Sequence, residues 1–175
     1  QGGFPTFKKR SNRQSARYVK NAFTFKNGQL KLAKHKKYLK MKMTRIITGE
    51  VSSVTVSKTP DDKYYASLLV KEQYEPKPKT AKQLGIDLGI KDFATLSDGT
   101  KVANPNHFLK SLKKIKRLQR QLSRKVKGSK NRNKARIKLA RLQSKIANQR
   151  FDFLHKLSTQ IVNENQVICV EDLAV

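Results

Sequence analysis

The sequence predicts an α+β fold in which a small antiparallel β domain precedes an incomplete α/β domain with a long, basic helical hairpin. Apolar residues alternate with polar ones through much of residues 1–76, as in half-buried strands. From about residue 106 they recur at three- and four-residue steps, as in helices. A proline-bearing stretch predicts a linker at 77–83. We therefore predict domains at 1–76 and 84–175, with the hairpin at about 106–165.

Two β-hairpins are predicted in the first domain. Asn27-Gly28 separates two short alternating runs and is the strongest short-range signal for a tight turn. Pro60, Asp61 and Asp62 lie between VSSVTVS and YYASLLV and supply a second turn. These strands are expected to form a small, wedge-like antiparallel barrel or a curled sheet.

Three short β runs, LGIDLGI, FATL and KVA, open the second domain, with Asp98-Gly99 turning the second run into the third. Gly128-Ser129 interrupts the helical pattern that follows, which predicts two antiparallel helices. The apolar positions of this pattern are Leu109, Leu112, Ile115, Leu118, Leu122, Val126, Ala135, Leu139, Leu142, Ile146, Phe153, Leu157 and Ile161.

The end of the chain, Gln166–Val175, is predicted to be a buried strand because it is short and rich in β-branched residues. Its single cysteine, Cys169, is then a small core residue. Three strands, long helices and a further strand are the opening order of a ribonuclease-H-like fold.

The charge of the chain is strongly positive and unevenly distributed. It has 40 Lys and Arg residues against 12 Asp and Glu residues, a formal net charge of +28, which indicates a polyanionic partner such as nucleic acid. Residues 1–49 hold 14 basic residues and residues 101–150 hold 18, and neither stretch contains an acid. Charge alone fits a ribosomal-protein-like or histone-like binder equally well.

Several classes of protein are excluded or disfavoured by the sequence. It has no apolar stretch of about 18 residues, so we expect no membrane span. Its start lacks an initiator Met and the apolar core of a secretory signal, so we expect the chain to begin mid-sequence or after processing. One cysteine excludes a disulfide framework and a zinc site of paired CxxC motifs within these residues. A reducing cytoplasm or nucleoid fits this composition.

The run LGIDLGI presents one carboxylate between two glycines. Alternation along Leu84–Ile90 places four apolar side chains on one face, predicted to be core, and Gly85, Asp87 and Gly89 on the other. Glycine inside a strand often marks the close approach of a ligand, and a phosphodiester with its metal ions needs such clearance. The alternative is an Asp near a turn with incidental glycines.

A second carboxylate, Glu171, follows the apolar run that begins at Val167. Alone it could simply cap a strand or face solvent. If its strand lies beside that of Asp87, both carboxylates can bind the same ion or neighbouring ions, since sites in open α/β sheets gather at the carboxyl ends of strands. Carboxylates without a nearby His or Cys favour Mg²⁺ or Mn²⁺ over zinc. Two such ions about 4 Å apart can activate water and stabilise the leaving oxygen of a phosphodiester.

GIDLGIKDFATLSDG (Gly85–Gly99), followed after a long basic stretch by VICVEDLAV (Val167–Val175), closely resembles the TnpB/OrfB family of insertion-sequence proteins. These proteins are relatives of the type V CRISPR effector nucleases. The opening GFPTFKKRSNRQSARY (Gly3–Tyr18) is similar to the stretch just before the family's nucleic-acid-binding β domain. The first motif is specific, the second gains its weight from this context, and the resemblance spans essentially the whole chain.

The resemblance implies a RuvC-type, Mg²⁺-dependent nuclease in which Asp87 is the first catalytic carboxylate and Glu171 the second. It implies that the β domain is similar to the wedge domain, which grips the guide-RNA scaffold, and that guide RNA and target DNA are the partners. The family continues with a zinc ribbon and a third catalytic aspartate, which these residues lack. We therefore expect this chain alone to cleave little or nothing, and we expect a bacterial or archaeal cytoplasm as its location.

The cations expected to bind nucleic acid lie in two tracts, one at the start of the chain and one in the first predicted helix. They are Lys8, Lys9, Arg10, Arg13, Arg17, Lys113, Lys114, Arg117, Arg120 and Arg124.

Two other functions stay open. A non-catalytic RNA- or DNA-binding remnant of a transposase gene would fit the missing third acid and the intact basic tracts. A transposase that joins strands itself would need a nucleophile, and none of the five tyrosines lies in a recognisable catalytic setting.

Overall fold

The computed structural model describes residues 14–73 and 78–171 of this mixed α+β protein. The chain divides into two compact units, Gln1–Glu75 and Pro76–Val175. Antiparallel strands occur in both units, and the second unit also contains two long helices.

Five strands of the first unit form two separate sheets. β1 (Gln14–Val19), β4 (Glu50–Lys58) and β5 (Tyr64–Lys71) are antiparallel in the order β1-β4-β5. β2 (Phe23–Lys26) and β3 (Gln29–Leu32) form an antiparallel pair. Because β5 is the last strand of its sheet, one of its edges has no partner strand among the described residues.

Both predicted hairpins of this unit are confirmed. Asn27 and Gly28 have φ values of 50° and 72°, as a tight two-residue hairpin loop requires. At the second turn, the backbone N–H of Thr59 donates to the Lys63 carbonyl at 2.9 Å, and Asp62 has a φ of 68°. Asn and Asp tolerate this left-handed conformation better than most residues.

The small core of this unit lies between its two sheets. Leu30, Leu32 and Val54 are buried, and partly buried side chains from both sheets pack around them. The expected closed barrel does not form in the part of the chain that the structure describes. The Leu39 N–H donates to the Leu30 carbonyl at 2.7 Å. Between Leu39 and the start of β4 the chain forms no strand, so this segment does not pair with the free edge of β5.

The second unit contains a four-stranded sheet in the order β8-β7-β6-β9. Its strands are β6 (Gln83–Leu88), β7 (Asp92–Leu96), β8 (Lys101–Ala103) and β9 (Val167–Val170). β6, β7 and β8 form an antiparallel meander, whereas β9 runs parallel to β6. A parallel pair needs a long crossover connection, and the two helices supply it.

The helices α1 (His107–Ser123) and α2 (Lys130–Glu164) form the predicted hairpin. The Ser129 hydroxyl accepts the Arg132 backbone N–H at 3.1 Å and so caps the start of α2. The Arg132 guanidinium donates to the carbonyls of Leu122 and Lys125 at 3.1 and 2.9 Å, which satisfies carbonyl groups at the end of α1. Among the described residues, no helix combines the length and apolarity that a membrane span needs.

The two halves of α2 pack differently. Ile115 of α1 and Ala140 and Ile146 of α2 are buried along the hairpin. Further along, Phe153 meets Phe93 of β7 edge to face, with ring centroids 5.1 Å apart. Ile161 is buried and lines a small cavity with Leu84 of β6, so the second half of α2 covers one face of the sheet.

One predicted apolar helix position, Val126, is wrong. Val126 is 77% exposed because α1 already ends at Ser123 and Val126 lies in the connecting loop. Leu109 is helical as predicted, in the first turn of α1, and its side chain is exposed. Helical spacing continued to Val126, but spacing alone does not indicate where the helix ends.

The predicted buried strand at the end of the chain is also wrong. β9 is a four-residue edge strand in the described part of the sheet, Val170 is 63% exposed, and Cys169 is exposed rather than a core residue. The apolar face of β6 likewise loses its cover towards its carboxyl end, where Leu88 is exposed and Ile90 is 95% exposed. Residues 172–175, which the prediction included, lie outside the described residues.

Candidate functional site

Of the two carboxylates predicted from the sequence, Asp87 lies on β6 and Glu171 directly follows the neighbouring strand β9. β6 and β9 are parallel, with Gly85 opposite Cys169 and Ile86 opposite Val170. Asp87 follows Ile86, and Glu171 follows Val170. Continuation of the register therefore brings the two carboxylates opposite each other at the same end of the sheet. Opposed residues of paired strands project from the same face.

These carboxylates line an open cleft of about 490 Å³ on the face of the sheet that bears Asp87. Both residues are exposed. The side chains of Thr95, Ser97 and Cys169 share the lining, and no Lys or Arg belongs to it. A cleft with two carboxylates and no cation is chemically suited to bind a cation.

The carboxylates of the described residues differ in whether they form an ion pair. Those of Glu50, Asp61, Asp62 and Asp152 form ion pairs with lysines. Neither Asp87 nor Glu171 forms an ion pair with a residue in the described ranges 14–73 and 78–171. The two carboxylates are therefore accessible to an added cation.

The two glycines that flank Asp87 differ in how much room a larger side chain would find. A Cβ on Gly89 would lie 2.8 Å from the Asp92 carbonyl oxygen, so the tight β6–β7 connection itself requires glycine there. A Cβ on Gly85 would lie 3.4 Å from the Ser97 Cβ, on the cleft side of the sheet. Clearance for a ligand can therefore explain the glycine at position 85, whereas the backbone contact already explains the glycine at position 89.

Ser97 and Thr95 are cleft residues that the sequence analysis did not single out. Thr95 lies opposite Asp87 in the β6–β7 register. The Ser97 hydroxyl accepts the Gly85 backbone N–H at 3.0 Å. In the sequence, the alternation of FATLS already indicates that Thr95 of β7 and Ser97, which directly follows it, project to the same side. Only the pairing of β7 with β6 shows that this is the side on which Asp87 lies.

Two further acids of this unit lie at or beside the ends of β7. Asp98 lies in the turn between β7 and β8, as predicted, where its Oδ1 accepts the Thr100 backbone N–H at 2.8 Å. This hydrogen bond lowers the pKa of Asp98. Asp92 begins β7.

A divalent metal ion would find two carboxylate ligands in the cleft. Mg²⁺ is commonly bound by one or two carboxylates together with water and substrate phosphates, so Asp87 and Glu171 fit such an ion. In the described part of the chain, no three His, Cys, Asp or Glu residues lie together in a way that could hold a metal. The donor set therefore suits a weakly held, oxygen-coordinated ion better than zinc.

The predicted nucleic-acid-binding cations fall into three sets. Lys8, Lys9, Arg10 and Arg13 lie outside the described residues. Arg17 is exposed on β1, and its Nη2 donates to the Ser53 hydroxyl at 3.3 Å. All five cations predicted in the first helix are exposed, four of them in α1 and the fifth, Arg124, directly after it.

The basic surface of α1 lies opposite its packed face. The apolar side chains Leu112, Ile115, Leu118 and Leu122 are buried or half-buried. At 100° per residue, the cations project from the other side of the helix. They are Lys110, Lys113, Lys114, Lys116, Arg117 and Arg120, and Arg124 follows directly after the helix.

Comparison with known proteins gives a consistent family. The model of the family OrfB_IS605, described as "Probable transposase", matches residues 53–175. A "Putative RNA-guided DNA endonuclease" of Streptomyces pristinaespiralis is 44% identical over 175 residues, which cover 98% of this chain and 44% of that protein. "Putative RNA-guided DNA endonuclease InsQ" of Escherichia coli K12 is 40% identical over 176 residues, covering 100% of this chain and 44% of that protein. The chain thus spans less than half the length of these two relatives.

Proposed function

Because this chain belongs to the OrfB_IS605 family of probable transposases, we propose that it forms part of a metal-dependent, RNA-guided DNA endonuclease. The observation that carries the proposal is the cleft in which Asp87 and Glu171 come together without any Lys or Arg in its lining. In a chain of net charge +28, an open pair of carboxylates is best explained by a site that needs a divalent cation.

Asp87 and Glu171 would hold Mg²⁺ or Mn²⁺ through their carboxylate oxygens. A bound ion of this kind supplies activation of water and stabilisation of negative charge on a phosphodiester. The residues of the chain orient the reactants: Ser97 and Thr95 border the carboxylates, and the paired strands β6 and β9 fix the two carboxylates at one end of the sheet. Without a cation, the carboxylates repel a phosphodiester.

The fold proposed for the second unit is RuvC-like, that is, ribonuclease-H-like. Three antiparallel strands, a helical crossover and a strand parallel to the first support this assignment. The first unit is proposed to be a wedge-like domain that binds guide RNA, which its basic composition and its family membership support. Target DNA and guide RNA are the proposed partners of the whole protein.

A cleavage assay tests this function. The protein encoded by the complete reading frame is assembled with its guide RNA, and cutting of a matching target DNA is measured. In the presence of Mg²⁺, Asp87→Ala should abolish cleavage of a matching target DNA while RNA binding stays within about twofold of wild type. Asp152→Asn, which alters a carboxyl on the exposed surface of α2, is the matched control and should cut normally. Persistent cutting by Asp87→Ala would contradict the proposed role of the cleft.

A non-catalytic nucleic-acid binder is the second candidate. It is favoured by the observation that only two carboxylates meet in the cleft within the described residues. If the 175-residue chain is the whole product, we expect it to bind RNA or DNA with strong salt dependence and to cut neither.

A further inference from the structure

We propose that the cleft between β5 and residues 40–47 in the first unit binds an unpaired nucleic-acid strand, with Tyr65 stacking on a base. This single-strand cleft is separate from the carboxylates of the second unit and does not depend on metal or on cutting. It also involves none of the cations predicted from the sequence.

The single-strand cleft is an open groove beside the free edge of β5. Its volume is about 800 Å³, within the range of roughly 300–1,000 Å³ that is usual for ligand-binding pockets. One wall is β5, and the other is the non-ladder segment after Leu39. Met41, which packs against the core of this unit, forms part of the lining together with Leu68.

The rim of this cleft is positively charged. Along residues 39–43, half-buried Leu39, Met41 and Met43 alternate with exposed Lys40 and Lys42. Arg45 is exposed further along the same wall. Three cations thus line the cleft against one carboxylate, that of Glu72, so the charge favours an anionic occupant.

Two exposed tyrosines lie on the β5 wall. Tyr64 is 67% exposed and Tyr65 is 47% exposed. One side of Tyr64 is approached by Lys58, whose Nζ lies 5.3 Å from the ring centroid, so Tyr65 is the better platform for a base. Proteins that bind single strands combine a basic groove with exposed aromatic rings on which bases stack.

An unpaired strand explains these features better than a duplex or a peptide does. In a duplex the bases are stacked on each other and largely hidden from an apolar groove. An extended peptide could pair with the free edge of β5, but such pairing makes no use of Lys40, Lys42 or Arg45. The combination of apolar floor, aromatic wall and basic rim matches bases and phosphates together.

Tyrosine fluorescence allows a direct test, because the chain has five tyrosines and no tryptophan. The 175-residue chain is titrated with 20-nucleotide dT and rU strands and, separately, with a 20-base-pair duplex. Affinity is measured by anisotropy of labelled strands, and stacking by quenching of the intrinsic fluorescence. Tyr65→Ala should weaken single-strand binding about 5- to 100-fold and remove part of the quenching. Tyr65→Phe, which keeps the ring, should retain the affinity.

Matched controls separate the cleft from the general basic charge. Tyr38 is 43% exposed in the same unit but does not line the cleft, so Tyr38→Ala should change neither affinity nor the quenching by bases. The double substitution of Lys42 and Arg45 by Gln should lower the slope of log K against log salt by about 1.4 for single strands. A double substitution of Lys36 and Lys37 by Gln removes the same charge outside the cleft lining and should lower it less.

Three outcomes would overturn the proposal. The first is an equal loss of single-strand affinity in Tyr65→Ala and Tyr38→Ala. The second is an equal loss of duplex and single-strand affinity in Tyr65→Ala. The third is a Tyr65→Ala variant that is folded by circular dichroism and binds single strands with normal affinity. The last outcome would show that Tyr65 does not stack on a bound base. Asp87→Ala should leave all these titrations unchanged, so failure of this proposal and failure of the nuclease proposal are distinguishable.

Discussion

The hydroxyl of Ser97 accepts a hydrogen bond from the backbone N–H of Gly85 at 3.0 Å, and the backbone N–H of Ser97 donates to the Gly85 carbonyl at 2.9 Å. Ser97 therefore holds the backbone of β6 two residues before Asp87. It also lines the same cleft as Asp87 and Glu171. A small polar side chain thus supports the strand that presents the first proposed metal ligand.

Replacing Ser97 by Ala should both destabilise the second unit and loosen the metal site. Loss of one hydrogen bond predicts a decrease of about 1 kcal/mol in the free energy of unfolding, measured by urea titration. Mn²⁺ binding should weaken by up to about tenfold because Asp87 is held less firmly. Ser123→Ala is the control, since it also removes one hydrogen bond between a serine hydroxyl and the backbone, here a bond that the Ser123 hydroxyl donates to the Arg120 carbonyl at the end of α1. Equal Mn²⁺ affinities for the two variants would argue against a supporting role for Ser97.

The carboxylates of the cleft should bind Mn²⁺ even in the 175-residue chain. Asp87→Asn and Glu171→Gln keep the size of each side chain but remove its charge, so each should weaken binding at least about tenfold, or roughly 1.4 kcal/mol. Free Mn²⁺ can be followed by its electron paramagnetic resonance signal. Asp152→Asn should bind like wild type. If both cleft variants retain full affinity, the ion binds elsewhere and the site assignment is wrong.

The parts of the fold that the sequence predicted are those governed by local chemistry. The Asn27-Gly28 turn follows from the two positive φ values that a tight hairpin needs, and the start of α2 follows from Ser129 as its cap. The Asp98-Gly99 turn is likewise explained by short-range hydrogen bonding and by a glycine φ of 86°. Each of these features is encoded within a few residues.

The features that the sequence did not predict depend on distant residues. Cys169 and Val170 have the composition of a core strand, yet both are exposed because β9 is an edge strand in the described sheet. The alternation of β6 identified the face of Asp87, but whether Glu171 is its neighbour depends on the parallel pairing across the helical crossover. Ser97 was missed for the same reason, since its function requires its partner strand.

Acid should destabilise the first unit through Asp61, a carboxyl that is only 1% exposed at the β4–β5 turn. A hydrogen bond from the Thr59 side chain, followed by the interaction with Lys63, holds the pKa of Asp61 below its usual range, although burial opposes this shift. Because the folded pKa lies below the unfolded one, the ionised carboxylate stabilises the fold above the unfolded pKa. That stabilisation is lost as the pH falls through the folded value.

Asp61→Asn should therefore unfold at lower urea than wild type at pH 7, and the difference should shrink as the pH is lowered from about 5 to about 2. Urea midpoints measured across this range give the comparison. Lys63→Gln removes only the second interaction, so it should reproduce part of the effect. Parallel curves for wild type and Asp61→Asn would show that this carboxyl does not contribute to the acid sensitivity.

The exposed cations of α1 should account for much of the electrostatic affinity for duplex DNA. Log K for duplex binding changes by about 0.9 per phosphate contact for each unit of log salt. Replacing Lys113, Arg117 and Arg120 together by Gln should thus lower the slope by about 2.7, if each contacts one phosphate. Anisotropy titrations at several salt concentrations measure this slope. A triple substitution of Lys34, Lys36 and Lys37 by Gln removes the same charge from the first unit. If the slope of log K against log salt falls as much in that variant as in the α1 variant, duplex binding depends only on the net charge of the chain. In that case α1 is not a dedicated binding surface.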